Sequence, residues 1–250
     1  MQDQHFGEAF FCLMGLEARE AAREIHFTLP ESVWEKEKAF FQSFGFDRVV
    51  QAGHQYRLFE GELRCSAPFH RVWQSILRKL PKIVRAFSVN GCPFNAGMLM
   101  SIKPEHAASV LSGNKNVEIR RRFSTEWTGS RVSIYASHPQ CSIVGDALMQ
   151  EVVVDDPDRI WGRFGKQIGC TREQFEHYAH GAKQLYAIIL VDVVPYAKTL
   201  SLTEASQAVR TPLRPPQSYR RLETSRGWAE AVSLGALLQR SFGCAQGLFV

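Results

Sequence analysis

The amino-acid sequence predicts an α+β protein whose main part is a small β-barrel with flanking helices. Short strand-like segments follow one another between residues 98 and 222, only short helical patterns separate them, and turn signals are frequent. A doubly wound sheet would instead alternate its strands with longer helices. The composition agrees with a packed core, because 45% of the residues are hydrophobic and 22% are charged.

A smaller α/β segment is predicted before the barrel, over residues 1–67. Apolar residues at helical spacing predict a helix from residue 31 to residue 44, and Gly45 is a suitable C-cap. Pro30 ends the short strand that precedes this helix. The other predicted elements are the end of a helix at 14–24 and strands at 25–29, 47–50 and 56–64.

Residues 68–97 are predicted to form a linker that contains a basic amphipathic helix at 69–80. Pro81 and the turn signals at residues 90–93 are expected to end the helical pattern. Either the basic residues contact phosphates, or the helix docks through its apolar face and its charges are solvated; the second interpretation is favoured. The apolar face comprises Val72, Trp73, Ile76, Leu77 and Leu80.

The predicted barrel domain spans residues 98–222. Thr171 and Gln174 form a capping-box pattern, which predicts the start of a helix. Residues 223–250 are predicted to be a helical tail, with a helix at 227–240 that either packs on the barrel or frays. The predicted barrel strands are 99–102, 116–121, 131–136, 142–154 and 186–194, and its helices are 105–111, 158–164 and 171–180.

Charge and cysteine content narrow the possible functions. The chain has 30 basic and 25 acidic residues and a net charge of +5, which permits a nucleic-acid partner without requiring one. The 6 cysteines include no Cys-x-x-Cys pair, so the sequence predicts neither a metal site nor a cofactor. A reduced, cytoplasmic protein is expected, without a secretory signal or a membrane-spanning segment.

The chemistry is predicted to lie where a glycine turn leads into a charged strand. Gly113 allows a sharp turn after the helix at 105–111, and Lys115 follows at the start of the next strand. Glu118 and Arg120 are predicted to share one face of that strand with Lys115. An ammonium, a carboxylate and a guanidinium in one place can bind a phosphate and a base edge. The alternative is an exposed, salt-bridged strand without a function.

The spacing Gly-x-Lys-x-x-Glu-x-Arg at residues 113–120 resembles the signature of the ASCH domain, a member of the PUA-like superfamily. The resemblance implies a five- or six-stranded barrel that binds RNA or a nucleotide in a cleft beside the signature. It continues through about half of the chain. Further segments similar to the family are 101–104, 135–139, 144–145, 161, 169–175, 181, 186–188 and 215–220.

A basic cleft is therefore predicted, with RNA, a nucleotide or a nucleoside as partner. Tyr135 is expected to offer a stacking surface for a base. Arg121 belongs to the densest basic cluster, and Arg220 to a second one. The predicted binding residues are Lys103, Lys115, Glu118, Arg120, Arg121, Tyr135, Ser137 and Arg220.

Enzymatic activity stays open at this point. Some small ASCH proteins resemble amidohydrolases that act on acylated cytidine, and others resemble ribonucleases. In the amidohydrolase pattern Lys115 matches the lysine, but Glu118 stands where a threonine is expected, and residues 166–167 lack the later carboxylate. If the protein is a hydrolase, Lys115 and Glu118 are the predicted catalytic pair.

The N-terminal segment, residues 22–67, resembles the C-terminal part of a GNAT acetyltransferase. The resemblance lies in residues 25–28, 39–46 and 56–58. The glycine-containing loop that would hold the acetyl-CoA pyrophosphate finds no match in residues 1–24. The segment is therefore predicted to be a truncated remnant without catalysis, and an acetyltransferase is the third and weakest hypothesis.

Overall fold

The protein is described here by a computed structural model that covers residues 6–18, 23–55, 61–86 and 96–244. The chain divides into two compact units, Met1–Phe87 and Ser88–Val250. The predicted α/β segment and the basic helix fall in the first unit. The predicted barrel and the C-terminal helix fall in the second unit.

The first unit is a three-stranded antiparallel sheet with three described helices. The sheet order is β1-β3-β2. The predicted strand at 25–29, helix at 31–44 and strand at 47–50 are confirmed, whereas the strand predicted at 56–64 begins at residue 62, and residues 19–22 and 56–60 lie outside the described residues. The elements are α1 (Phe6–Ala18), β1 (Glu24–Pro30), α2 (Glu31–Ser43), β2 (Arg48–Gln51), β3 (Glu62–Pro68) and α3 (Phe69–Ala86).

An aromatic cluster forms the core of the first unit. Gly45 ends helix α2 in the left-handed conformation, with φ of +94°, and its amide donates to the carbonyl of Gln42 at 2.9 Å. The ring of Phe11 on α1 contacts phenylalanine rings of β1, α2 and the α2–β2 turn at centroid distances of 5.0 to 6.0 Å. These rings are Phe27, Phe40, Phe41, Phe44 and Phe46.

The helix break predicted at Pro81 is wrong. Helix α3 continues through Pro81 to Ala86. A proline removes one backbone N–H donor and disfavours the helix interior. Here the buried apolar face continues on both sides of the proline, because Leu80 and Ile83 are almost fully buried. Burial of that face offsets the local cost, and a linker is therefore not found at residues 81–86.

The second unit is built on a six-stranded sheet of order β5-β8-β7-β6-β4-β9. Strands β4 and β6 are parallel, and the other neighbouring pairs are antiparallel. Sequence analysis missed α7 and β9. The elements are β4 (Ala96–Ile102), α4 (Pro104–Leu111), β5 (Val117–Arg120), a short 3₁₀ helix (Thr125–Trp127), β6 (Arg131–Ala136), β7 (Ser142–Asp155), α5 (Pro157–Ile168), α6 (Arg172–Ala179), β8 (Leu185–Ser201), α7 (Leu202–Val209), β9 (Tyr219–Arg221) and α8 (Arg226–Cys244).

The sheet is a curled half-barrel of six strands, which confirms the barrel-like fold that the sequence predicted. Register shifts interrupt the pairing of the long strands β7 and β8, and such irregularities bend a sheet. Gly145 on β7 permits the close approach of the β8 backbone, because a Cβ atom at this position would lie 2.7 Å from the Val194 carbonyl oxygen. The two ends of the described strand order are β5 and β9. The Arg120 side chain spans from β5 to β4, where it donates to the Ser101 carbonyl at 2.6 Å.

Helix α8 packs on the sheet, and it is not frayed over the residues whose side chains the structure describes. Its apolar face is buried, including Trp228, Val232 and Leu234. Gln239 also binds the backbone of β8, accepting from the Ala197 amide and donating to the Lys198 carbonyl, each at 2.7 Å. The predicted tail is therefore an integral part of the second unit.

A buried carboxylate lies between strands β6, β7 and β8. Asp146 accepts hydrogen bonds from Ser133 Oγ at 2.5 Å and from Tyr196 Oη at 2.6 Å. Burial raises the pKa of Asp146 to about 6, and the two hydrogen bonds and Arg131 oppose that shift. A carboxyl whose pKa is higher in the folded state makes its largest contribution to stability when it is protonated.

We therefore expect the stability contribution of Asp146 to fall as pH rises from its ordinary pKa of 3.8 towards 6. The loss should be about 3 kcal/mol in unfolding free energy. The measurement is urea unfolding of the wild type and Asp146→Asn between about pH 3.5 and pH 7, because subtraction cancels the other titrating groups. A difference that does not change with pH would contradict the shift.

Candidate functional site

The glycine turn and the strand that follows it place the signature side chains as a group. Gly113 adopts the left-handed conformation with φ of +79°, directly after α4. The Lys115 amide donates to the Ser109 carbonyl at 3.0 Å, which fixes the lysine before β5 begins. Gly169, at the C-terminal end of α5, packs on the Lys115 stem: a Cβ atom there would lie 3.1 Å from Lys115 Cβ. Both glycines therefore position one lysine.

Lys115, Glu118 and Arg120 form a buried ionic triad. Lys115 Nζ lies 2.8 Å from Glu118 Oε2, and Arg120 Nη2 lies 3.1 Å from Glu118 Oε1. The exposed fractions of the three side chains are only 4%, 8% and 16%, respectively. The strand is therefore salt-bridged, but its three charged side chains are buried and not exposed.

The triad contains two cations and one carboxylate, so its net charge is +1. Desolvating charged groups is costly unless they are paired, and Glu118 is shared between two cations. Arg120 Nε is also buried without a hydrogen-bond partner among the described residues. An anion that enters the site would meet the surplus positive charge of the triad.

These residues open into a cleft of about 620 Å³ beside α4, β5 and α6. Five of the predicted site residues line it, namely Lys103, Lys115, Glu118, Arg120 and Ser137. Its charged lining consists of three cations and two carboxylates, the second carboxylate being Glu105. With neutral histidines the net charge of the lining is therefore positive.

Three predicted site residues do not line the cleft. Tyr135 has an exposed fraction of 0% and packs edge to face on Trp228, so its ring offers no surface to a base. Arg220 is exposed on β9. Arg121 donates to the carbonyls of Tyr178 and His180 at 2.9 and 3.0 Å and so caps the end of α6.

Several cleft residues were missed by sequence analysis. His106 lies in the first turn of α4, Cys170 lies between α5 and α6, and α6 contributes His177 and Tyr178. The Tyr178 side chain is 40% exposed, and the Arg121 guanidinium lies 5.5 Å from its ring centroid. A possible signal was the concentration of polar aromatic residues at the end of a predicted helix.

Burial changes the protonation of the cleft side chains. The pKa of His106 is lowered by burial first, and then by the nearby Lys115 and Lys103. Burial raises the pKa of the Cys170 thiol and of the Tyr178 phenol. At neutral pH the cleft therefore presents a neutral imidazole, a thiol and a phenol beside the ionic triad.

The described residues contain neither a metal-binding cluster nor a membrane-spanning helix. No group of three or more His, Cys, Asp or Glu residues suited to a metal ion occurs in the part of the chain that the structure describes. None of the described helices is both long and apolar enough to cross a membrane.

The fold and the signature together define a domain of the ASCH class. Residues 96–209 match the model of a family described as "Domain of unknown function (DUF365)". Over 120 residues the chain is 32% identical to an "ASCH domain-containing ribonuclease" of Zymomonas mobilis, an alignment that covers 48% of this chain and 80% of that protein. The chain therefore belongs to the ASCH-domain family.

Solved structures agree with this assignment. Two crystal structures of variants of the Zymomonas mobilis ASCH protein match at 30% identity, each with a TM-score of 0.50. One match covers 57% of this chain and 98% of that protein, and the other covers 55% and 96%. These comparisons give no support to the acetyltransferase resemblance of residues 22–67, which stays a prediction.

Proposed function

We propose that the cleft of the second unit binds single-stranded RNA. The observation that carries this proposal is the buried triad, whose surplus positive charge faces a cleft of about 620 Å³. A phosphodiester is the anion that fits a guanidinium beside an ammonium. Lys103 adds an exposed cation on the same lining and would steer the backbone towards the triad.

The aromatic lining supports a nucleotide over a simple anion. Tyr178 and His177 are exposed on α6 and share the cleft with the triad. A base can stack on such a ring while its phosphate is held nearby, which is how proteins bind unpaired RNA. The cleft volume is in the range of pockets for small ligands, so it fits one or two nucleotides of a single strand and not a duplex.

Binding can be tested by fluorescence anisotropy with a labelled single-stranded RNA of about twelve nucleotides. We expect affinity to fall with salt, because each phosphate neutralised releases counterions. The matched DNA strand should bind more weakly if the 2′-hydroxyl is contacted, and the RNA duplex weakest of the three. Equal affinity for the duplex, or affinity that does not depend on salt, would contradict the proposal.

Stacking on Tyr178 gives a separate prediction. Tyr178→Leu keeps a side chain of similar bulk but removes the aromatic face, so RNA affinity should fall about tenfold. Tyr219→Leu is the matched control, since Tyr219 lies on β9 and outside the cleft lining. Anisotropy titrations of both variants provide the measurement. An equal loss in the two variants would show that the α6 ring is not the stacking surface.

RNA cleavage is a second candidate function. It is favoured by the Zymomonas mobilis relative, which is named as a ribonuclease, and by the neutral His106 beside the triad. Lys115 and Glu118 stay the predicted catalytic residues on the sequence evidence. Incubating the purified protein with RNA and with acylated cytidine separates a ribonuclease from an amidohydrolase. Release of no product from either would leave RNA binding alone.

The first unit and the cellular location also remain proposals. If the first unit is a truncated acetyltransferase segment, acetyl-CoA should not bind to the protein. Calorimetric titration with acetyl-CoA tests this expectation directly. We also propose a cytoplasmic protein, in agreement with the four free cysteines of the described part, Cys12, Cys65, Cys141 and Cys170.

A further inference from the structure

We propose that His106 is the proton acceptor in RNA cleavage at this cleft. The inference rests on the ribonuclease function proposed above and deepens it by assigning a catalytic residue and a reaction class. The class is transesterification, in which the RNA's own 2′-hydroxyl attacks the neighbouring phosphate.

The position of His106 is suited to contact with a bound strand. Helix α4 begins at Pro104 with Lys103 as N-cap, which places His106 in its first turn on the cleft lining. The imidazole is half-buried and makes no hydrogen bond to any described residue. Its ring nitrogens are therefore available to a ligand, next to the ammonium that would hold the phosphate.

Burial is the main reason why the His106 ring is neutral. Lys115, from the turn before β5, and Lys103, from its own N-cap, lower the pKa, as does burial, which is the largest cause. Glu118 of β5 and Glu105 of α4 raise the pKa, each by less than Lys115 lowers it and by more than Lys103 does. A neutral imidazole is the form that accepts a proton, and its value is greatest when its pKa lies near the working pH.

The other titratable groups of the cleft are less suited to this role. Each carboxylate oxygen of Glu118 lies within ion-pair distance of a cation, at 2.8 Å from Lys115 Nζ and 3.1 Å from Arg120 Nη2. Burial keeps Cys170 and Tyr178 protonated at neutral pH. His177 is exposed on α6. Among the described cleft residues, His106 therefore combines a free ring, partial burial and cationic neighbours.

The proposed step balances without a further reactant. His106 takes the proton from the 2′-hydroxyl, and the 2′-oxygen forms a bond to the adjacent phosphorus while the bond from phosphorus to the 5′-oxygen breaks. The 5′-oxygen takes a proton from water, and the histidinium returns its proton to water. The products are a 2′,3′-cyclic phosphate and a 5′-hydroxyl. Lys115 and Arg120 stabilise the negative charge that develops on the phosphoryl oxygens.

The experiment uses the full chain and a labelled DNA strand with one internal ribonucleotide, so that only one 2′-hydroxyl can react. His106→Gln should lower the single-turnover cleavage rate by about 100-fold or more while Kd changes less than about twofold. Cleavage by His106→Ala should rise when imidazole is added. His180→Gln, whose side chain lies outside the cleft lining, should cleave like the wild type.

The pH profile gives an independent readout. The acid limb of the wild-type rate should lie below the ordinary histidine pKa of 6.5 and should be absent from the residual rate of His106→Gln. Thermal melts of each variant establish that it is folded. If the wild type cleaves but His106→Gln keeps its rate, or if the products carry a 5′-phosphate, this inference falls and the ribonuclease proposal stands. If the wild type leaves RNA intact, both fall.

Discussion

Replacing Trp228 with alanine is expected to lower the free energy of unfolding of the second unit by about 4 kcal/mol. The indole is 4% exposed, packs edge to face on Tyr135 at a centroid distance of 5.7 Å, and donates Nε1 to the Arg214 carbonyl at 3.2 Å. The substitution removes the largest apolar side chain of α8 and leaves a cavity between the helix and the sheet.

Chemical denaturation monitored by circular dichroism provides the measurement. Val194→Ala is the control, because Val194 lies on β8 and is 37% exposed, so its loss should cost less than about 1 kcal/mol. A small effect of Trp228→Ala would mean that the second unit is stable without the packing of α8. That result would agree with the frayed tail that was one of the two alternatives predicted from sequence.

Replacing Lys115 with methionine is expected to reduce stability by about 3 kcal/mol and RNA affinity by roughly 10- to 100-fold. Methionine keeps the apolar stem that packs on Gly169 but leaves Glu118 with only one of its two cations. Breaking a buried pair costs more than the pair contributes, since the remaining charge stays desolvated. The loss of affinity follows from one missing charge-assisted contact to phosphate.

A second variant tests the coupling within the triad. Lys115→Met combined with Glu118→Gln also leaves Arg120 without its carboxylate partner, so stability should not recover and RNA affinity should stay low. Lys103→Met is the matched control for charge: Lys103 lines the same cleft but is exposed, and its loss should lower affinity with little change in stability. Wild-type RNA affinity in the double variant would show that Lys115 does not contact the phosphate.

Local patterns predicted most secondary structure correctly. The capping box at Thr171 and Gln174 is present, and β6 occupies residues 131–136 as expected. Such signals succeed because caps and hydrophobic periodicity act within a few residues. Pro81 shows the limit of that reasoning, since its local cost was correctly identified but was smaller than the gain from burying Leu80 and Ile83.

The residues of the site also fall into those that local sequence predicted and those that it did not. The spacing of Gly113, Lys115, Glu118 and Arg120 was sufficient to place the triad, because a turn and one short strand contain all four. Tyr135 could not be assigned from sequence, since the neighbour that buries it, Trp228, is far away in the chain. His106 and Tyr178 were missed for the related reason that α4 and α6, which are far apart in sequence, line one cleft only in the folded domain.

By itself the sequence determined the family, the order of most elements and the charged strand at the centre of the site. Those properties depend on nearest neighbours along the chain and on side-chain type. Only the tertiary structure decided that the sheet stays an open half-barrel, that α8 belongs to its core, and that a histidine and a tyrosine from separate helices share the cleft with the triad. These outcomes depend on which surfaces, far apart in sequence, bury their apolar area against one another. A pattern of neighbouring residues does not contain that information.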